Sequence, residues 1–392
     1  MRLAFSQEDE AFRAQLVAFL EEHAPAETAG RRDFASEERA DAEVIPRWSR
    51  EWQATLFDHG WMIPGYPPEL GGRNCTPLQT LVYLEEMAIR GIPRSLHFPG
   101  YAIVAPTFLE FGNEQQRALA PAAIRGDTVW CIGMSEPNAG SDLAGLQTRA
   151  EVHDDHFLVN GQKVWTSYAN EADLCCCYVR TDPDAPKHPG ISLLVVAMDT
   201  PGIEVRPLRH ITGSAGFAEV FFTDVVVARE NLVGSLHDGW RLTQGSLAHE
   251  RAGLWVEAVA RLEQTIDGLV ALARRRGVDD DPVLRRRIAQ GYQRAASLRA
   301  LGYKGFTSFA QGSSAPEHSY MKLATSELGK ALYELGMEIQ GPYGPVTDPR
   351  RGEEHGRWAN SFFVSFAGTI AGGSSEIQRN IIARRVLDLP RG

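Results

Sequence analysis

Apolar residues in this chain change their period twice. Up to about residue 126 they recur at three- and four-residue intervals. Between about Thr128 and Gly239 they alternate as strands do, and after Gly239 the helical interval returns. Phe12, Leu16, Phe19 and Leu20 form one helical stripe, and Leu78, Leu81, Val82, Leu84 and Met87 another that Gly91 and Pro93 end. The intervening residues 60–72 carry too many Gly and Pro to be helical. In the middle third, 148–152 and 156–161 read as a hairpin around Asp154 and Asp155, and 175–180, 192–198 and 219–222 continue the strands. Trp255, Val259, Leu262, Ile266 and Leu269 then form a core-facing helical stripe, and Asp281-Pro282 opens a further helix. Because the strands are grouped and not interleaved with helices, a doubly wound parallel sheet is disfavoured. The expectation is an α+β chain: a helical domain over 1–126, an antiparallel β domain over 127–236 and a helical domain over 237–392.

A chain of 392 residues is long enough for two or three domains and a substantial core. Its 40 basic and 50 acidic residues leave a net charge of −10, which argues against nucleic acid or an anionic membrane surface as partner. No apolar run approaches the ~18 residues of a membrane span, and the N-terminus turns acidic without a signal-peptide core, so a cytoplasmic chain is expected. Five cysteines without CxxC spacing, three of them consecutive at 175–177, offer no zinc site and read as small buried apolar residues in a reducing compartment.

Neither a GxGxxG after a strand nor a GxxxxGK[ST] is present, and GxSxG and HExxH are absent too. A nucleotide would therefore need another scaffold. Residues 130–142 run from an apolar stretch into a loop of Ser, Asn, Gly and Asp, which reads either as a concavity of backbone N–H groups for a polar ligand or as a surface turn. Residues 160–167 set Trp165, Thr166 and Ser167 directly after a hairpin strand, where a Trp is either core or the wall of a cofactor site.

Taken in order, these segments resemble the acyl-CoA dehydrogenase family of flavoenzymes over nearly the whole chain. The resemblance rests on Gly65 to Gly72, Phe111-Gly112 with Glu114 to Gln116, the Ser-Glu-Pro-x-Ala-Gly-Ser-Asp loop at 135–142, Asn160 to Ser167, Glu219 to Phe222, and Gly372 to Arg384. It implies a helical, a β and a four-helix domain with FAD bound between them, as a homotetramer or homodimer. On that resemblance Ile132, Met134 and Ser135 meet the flavin ring, and Trp165, Thr166 and Ser167 lie at its reactive edge. Ser141 meets the pyrophosphate and borders the substrate. Arg276 reaches a neighbouring subunit's FAD, with Gly341, Ser374 and Glu376 near the same cofactor. Arg276 lacks the Phe-Gly that often follows in the family, and Glu338 stands where a Gln is frequent.

The implied reaction is the α,β-dehydrogenation of an acyl-CoA thioester to the trans-2-enoyl-CoA, with electrons passed to an electron-transferring flavoprotein. It requires a carboxylate whose pKa rises toward neutrality in an apolar pocket and donors for the thioester oxygen. Many members carry that Glu just before the Gly-Thr of the C-terminal motif, where this chain has Gly372. Others, the isovaleryl and long-chain types among them, carry it on the first helix of the C-terminal domain, where this chain has Leu247-Ala248-His249-Glu250-Arg251. Glu250 is therefore the expected base, although a structural salt bridge would also account for it. Glu376 is the poorer candidate. Arg251 and the N–H of Gly372 would line the substrate site, and His249 and His210 receive no catalytic role. A helix-borne base beside the small Ala371 and Gly372 points to a branched, long or ring-bearing acyl group, in fatty-acid, branched-chain or steroid catabolism. Two alternatives stay open: an oxidase or flavin monooxygenase on the same scaffold, and one subunit of a hetero-oligomer whose other chain completes the site.

Overall fold

Capping chemistry sets several element boundaries. The computed structural model describes residues 5–28, 45–310 and 317–390, with backbone alone at 244–254, 309–310 and 317–319. Ser6 and Asp9 form a reciprocal capping box that starts helix α1 (Gln7–His23). Asp281 accepts the N–H groups of Val283 and Leu284 and starts α8 (Pro282–Ala310), as its Asp-Pro signature predicts.

The chain divides into two compact units, one of Met1–Arg39, Pro77–Pro93 and Arg251–Gly392, the other of Ala40–Thr76 and Arg94–Glu250. The first is helical. It holds α1, α3 (Pro77–Arg90), most of α7 (Gly239–Arg276), α8, α9 (Glu317–Gln340), α10 (Arg357–Ile370) and α11 (Ser375–Arg385). All four residues of the first stripe and all five of the Trp255–Leu269 stripe are buried. Each such side chain stabilises the fold by ~1.5–3 kcal/mol relative to exposure. Two glycines let the helices approach Trp side chains closely: a Cβ at Gly302 would stand 2.2 Å from Trp255, and one at Gly336 2.0 Å from Trp358.

The second unit holds α2 (Arg47–Asp58), the short helices α4 (Ala105–Phe111), α5 (Glu114–Ala118) and α6 (Ala120–Arg125), and one eight-stranded sheet. Its strands are β1 (Trp130–Gly133), β2 (Arg149–Val152), β3 (His156–Ser167), β4 (Leu174–Arg180), β5 (Ile191–Ala197), β6 (Ile203–Leu208), β7 (Phe217–Ala228) and β8 (Leu232–Val233). They run β6-β7-β3-β2-β4-β5-β8, and β1 pairs with β4. Pairing is antiparallel except for β1 with β4 and the single β2–β4 contact at Arg149 and Arg180. The expected hairpin is β2–β3, while β6 and β8 escape sequence reasoning: β6 carries Pro207 and has no fully buried residue, and β8 spans two residues. Cys131, Cys175 and Cys177 sit in the sheet's core with Phe157, Val159 and Leu194, and none of the five cysteines is in a disulfide. No described helix is long and apolar enough to cross a membrane.

Candidate active site

The end of β1 lies alongside the end of β3. Val164 donates its N–H to the Ser135 carbonyl at 2.9 Å, which sets Ile132, Met134 and Ser135, all half-buried, beside residues 163–167. Between Lys163 and Thr166 the register against β7 slips, three residues of β3 spanning two of β7. The extra residue interrupts the inside–outside alternation. Trp165 stands in this bulge in the left-handed region (φ 59°) with its side chain 54% exposed, its ring meeting Phe217 edge-on at 5.9 Å. The indole is thus not core, because the bulge turns it out of the sheet. Thr166 is buried, and its hydroxyl has no hydrogen-bond partner among the described residues; Ser167 is half-buried opposite Phe217.

The loop after β1 folds back on itself. Glu136 and Ala139 exchange two backbone hydrogen bonds of 3.1 and 3.0 Å, and the Glu136 side chain turns inward. Its carboxylate accepts the N–H of Gln147 at 2.6 Å and of Thr148 at 2.9 Å, and an ion pair from Lys163 Nζ at 2.8 Å. Burial alone would raise this carboxyl's pKa, but Lys163 and the hydrogen bonds outweigh it and hold the group below the usual range. Further along, Arg180 Nη2 donates to the Ala144 carbonyl at 2.6 Å, and its Nη1 to those of Lys187 and Pro189 at 3.1 and 3.0 Å. Ser141 is exposed on the loop this staple holds, next to Asp142, which pairs with Lys187. A surface turn and an ordered polar cradle are here the same loop: Ser141 faces out while Glu136 holds the base of the turn.

In the helical unit, Arg276 donates to the Gln340 carbonyl at 3.2 Å, lies 3.7 Å from Glu353 and sits over the Tyr343 ring. Glu338 pairs with Arg287, while Gly341 is exposed at φ 59°. Ser374 caps α11 by accepting the Ile377 N–H at 3.3 Å. Glu376 is exposed; its own N–H, Ser374 and Arg379 keep its carboxyl low, which suits a surface partner better than a base. Gly372 adopts φ 63°, and a Cβ placed there would meet nothing within 4 Å. Its carbonyl accepts from Gln378 at 2.9 Å. Glu250, His249 and Arg251 lie on α7, but their side chains fall outside the described residues. The Val164–Ser135 hydrogen bond therefore brings the segment of Ile132, Met134 and Ser135 alongside that of Trp165 and Ser167, with Ser141 on the loop that follows β1, and Arg276, the last residue of α7, bonds the Gln340 carbonyl next to Gly341.

Sequence reasoning missed Lys163, Arg180 and Phe217. Lys163 left a signal: it shares parity with the buried Phe157 and Val159 on β3, and a lysine at a core position of a strand requires a buried anion. Among the described residues no group of three His, Cys, Asp or Glu side chains is placed to hold a metal ion.

Known proteins match this arrangement along the whole chain. Family models described as acyl-CoA dehydrogenase N-terminal, middle and C-terminal domain match residues 6–127, 131–225 and 237–387. The acyl-CoA dehydrogenase IpdE1 of Mycobacterium tuberculosis is 36% identical over 387 residues, covering 98% of this chain and 99% of its own. The solved structure "Tcur3481-Tcur3483 steroid ACAD" superposes with a TM-score of 0.85 at 30% identity, over 100% of both chains. The ChsE4-ChsE5 complex from Mycobacterium tuberculosis gives a TM-score of 0.81 at 30% identity, again over 100% of both chains.

Proposed function

Because the chain belongs to the acyl-CoA dehydrogenase family of flavin-dependent oxidoreductases, we propose that it desaturates a bulky acyl-CoA, branched or ring-bearing, between its α and β carbons with FAD as cofactor. The observation that carries this reading is the β1–β3 edge. An aromatic ring of this size is held outside the sheet by a left-handed bulge, beside apolar Ile132 and Met134 and the hydroxyls of Ser135 and Ser167. That donor set suits the flat, polar-edged ring of a flavin. Bound FAD supplies the acceptor for a hydride leaving the β-carbon.

The chain's own residues supply the rest. Glu250 takes the α-proton, so one C–H bond yields a proton to the carboxylate and the other a hydride, leaving the trans-2-enoyl thioester. The N–H of Gly372 donates to the thioester oxygen, where negative charge develops. Arg251 lines the acyl-CoA channel, and Ser141 borders the pyrophosphate and the substrate. Ser167 and Thr166 belong to the flavin's reactive edge, and Arg276, Gly341, Ser374 and Glu376 belong to the cofactor site of an oligomer. An electron-transferring flavoprotein takes the electrons. The spans of the three family models support a division at 1–126, 127–236 and 237–392.

The acyl preference draws support from two sides. A solved relative is named a steroid ACAD, and Gly372 leaves open space where many members carry a glutamate. A second reading, in which another chain completes the site, draws on that same lack of a carboxylate at Gly372 and on the ChsE4-ChsE5 complex. Anaerobic titration of the yellow protein with straight, branched and ring-bearing acyl-CoA thioesters tests both. Flavin bleaching by bulky thioesters supports the first. Fast reduction by butyryl-CoA with none by bulky thioesters rejects the acyl preference, and a lone chain that gains flavin only on co-expression with a partner favours the second.

A further inference from the structure

Lys163 is wholly buried in the sheet, and its anion Glu136 is 8% exposed. Replacing a buried ion pair by apolar groups of similar volume is often neutral or stabilising, so stability alone does not explain one in a core. What this pair does is geometric. Lys163 Nζ also donates to the Met134 carbonyl at 3.2 Å, and its stem passes Gly133 so closely that a Cβ there would lie 3.3 Å from Lys163 Cγ. Glu136 collects the N–H groups of Gln147 and Thr148. Thr148 in turn stands against Gly161 of β3, where a Cβ would come within 2.7 Å of its Cα. Three stretches of chain, 133–136, 147–148 and 161–163, thus meet at one pair of charges. Lys163 is also the last residue in register before the bulge that turns Trp165 outward.

We infer that Glu136 and Lys163 are positioning residues: their ion pair clamps the end of β1 to the start of the Trp165 bulge and so fixes the spacing of the edge that meets the flavin. The inference rests on the proposed flavin site and adds to it a device that touches neither cofactor nor substrate. Small displacements at such an edge are costly, because an error of about 1 Å in a supporting contact lowers function on the order of a hundredfold.

The double substitution Glu136→Gln with Lys163→Met tests it, since it leaves no lone charge in the core. The expected result is a folded protein with a thermal midpoint close to wild type, flavin affinity weakened on the order of tenfold or more, a displaced visible absorption band in the bound flavin, and altered Trp165 fluorescence in the flavin-free chain. Should the double variant fail to fold, Glu136→Asp carries the test: it keeps the charge but draws the carboxylate back by one methylene, and the same band shift and loss of affinity are expected. A folded variant with wild-type flavin affinity and spectrum overturns the inference alone. A wild-type chain that takes up no flavin overturns the functional reading and the inference with it.

Discussion

The indole of Trp165 meets the ring of Phe217 edge-on at 5.9 Å and is half exposed, while Trp130, on β1 of the same sheet, is fully buried under Phe108 at 5.3 Å. Two tryptophans of one sheet thus serve opposite purposes. Trp165→Gly removes an exposed ring and relieves a left-handed backbone, a strain of about 1–3 kcal/mol. The expected outcome is flavin-free stability within about 1 kcal/mol of wild type with flavin binding clearly weakened. Trp130→Ala is expected to cost ~3–5 kcal/mol. Urea unfolding and flavin titration of both variants read the contrast; equal stability losses would reject it.

Glu250→Gln is expected to keep bound flavin and to slow its anaerobic reduction by acyl-CoA on the order of a hundred- to ten-thousandfold, the usual contribution of a general base. Stopped-flow absorbance at the flavin band measures this directly. Undiminished bleaching removes Glu250 from the reaction.

His97 is buried, with Nε2 donating to the Trp130 carbonyl at 2.8 Å, and burial holds its pKa below the ordinary value of 6.5. The unfolded chain therefore takes up a proton that the folded chain refuses as pH falls below about 6.5. Stability present above that pH is lost as pH drops toward the folded pKa, by up to about 1.4 kcal/mol per pH unit. His97→Gln keeps a donor for Trp130 but cannot titrate. Urea unfolding on either side of pH 6 should show a flatter acid slope for the variant, and identical slopes would count against this account.

Gly302→Ala and Gly336→Ala should both destabilise, although alanine favours a helix over glycine by roughly 1 kcal/mol. The added methyl groups would stand 2.2 Å from Trp255 and 2.0 Å from Trp358. Overpacking of this kind costs about 1–3 kcal/mol or more. Gly341→Ala is the control: a Cβ there meets nothing within 4 Å, so only its left-handed backbone resists. Thermal denaturation of the three variants orders them.

Much of the architecture was legible because the signals are local. The period of apolar residues separates the helical segments from the sheet, and Asp281-Pro282 marks the start of α8 to the residue. The outward face of Trp165 was not legible, since it depends on a one-residue bulge that only pairing with β7 reveals. The Glu136–Lys163 pair brings together residues 27 apart in sequence: the parity of Lys163 on β3 calls for a buried anion, but nothing local says which carboxylate supplies it. The family resemblance implied Ser135 and Ser167 as neighbours of a cofactor, where residue types alone left a surface turn and a core strand open; the place of Ser135 beside the bulge follows from the Val164–Ser135 hydrogen bond, which is a property of the fold.

Four of the five thiols lie within the sheet unit's interior, on β1 and β4, while Cys75 alone is partly accessible; burial pushes the Cys176 thiol up as well. An alkylating reagent such as iodoacetamide meets those four only when β1 and β4 part. The pace at which they are captured is then a clock for how often the middle of the molecule opens, supplied by the protein itself without any label.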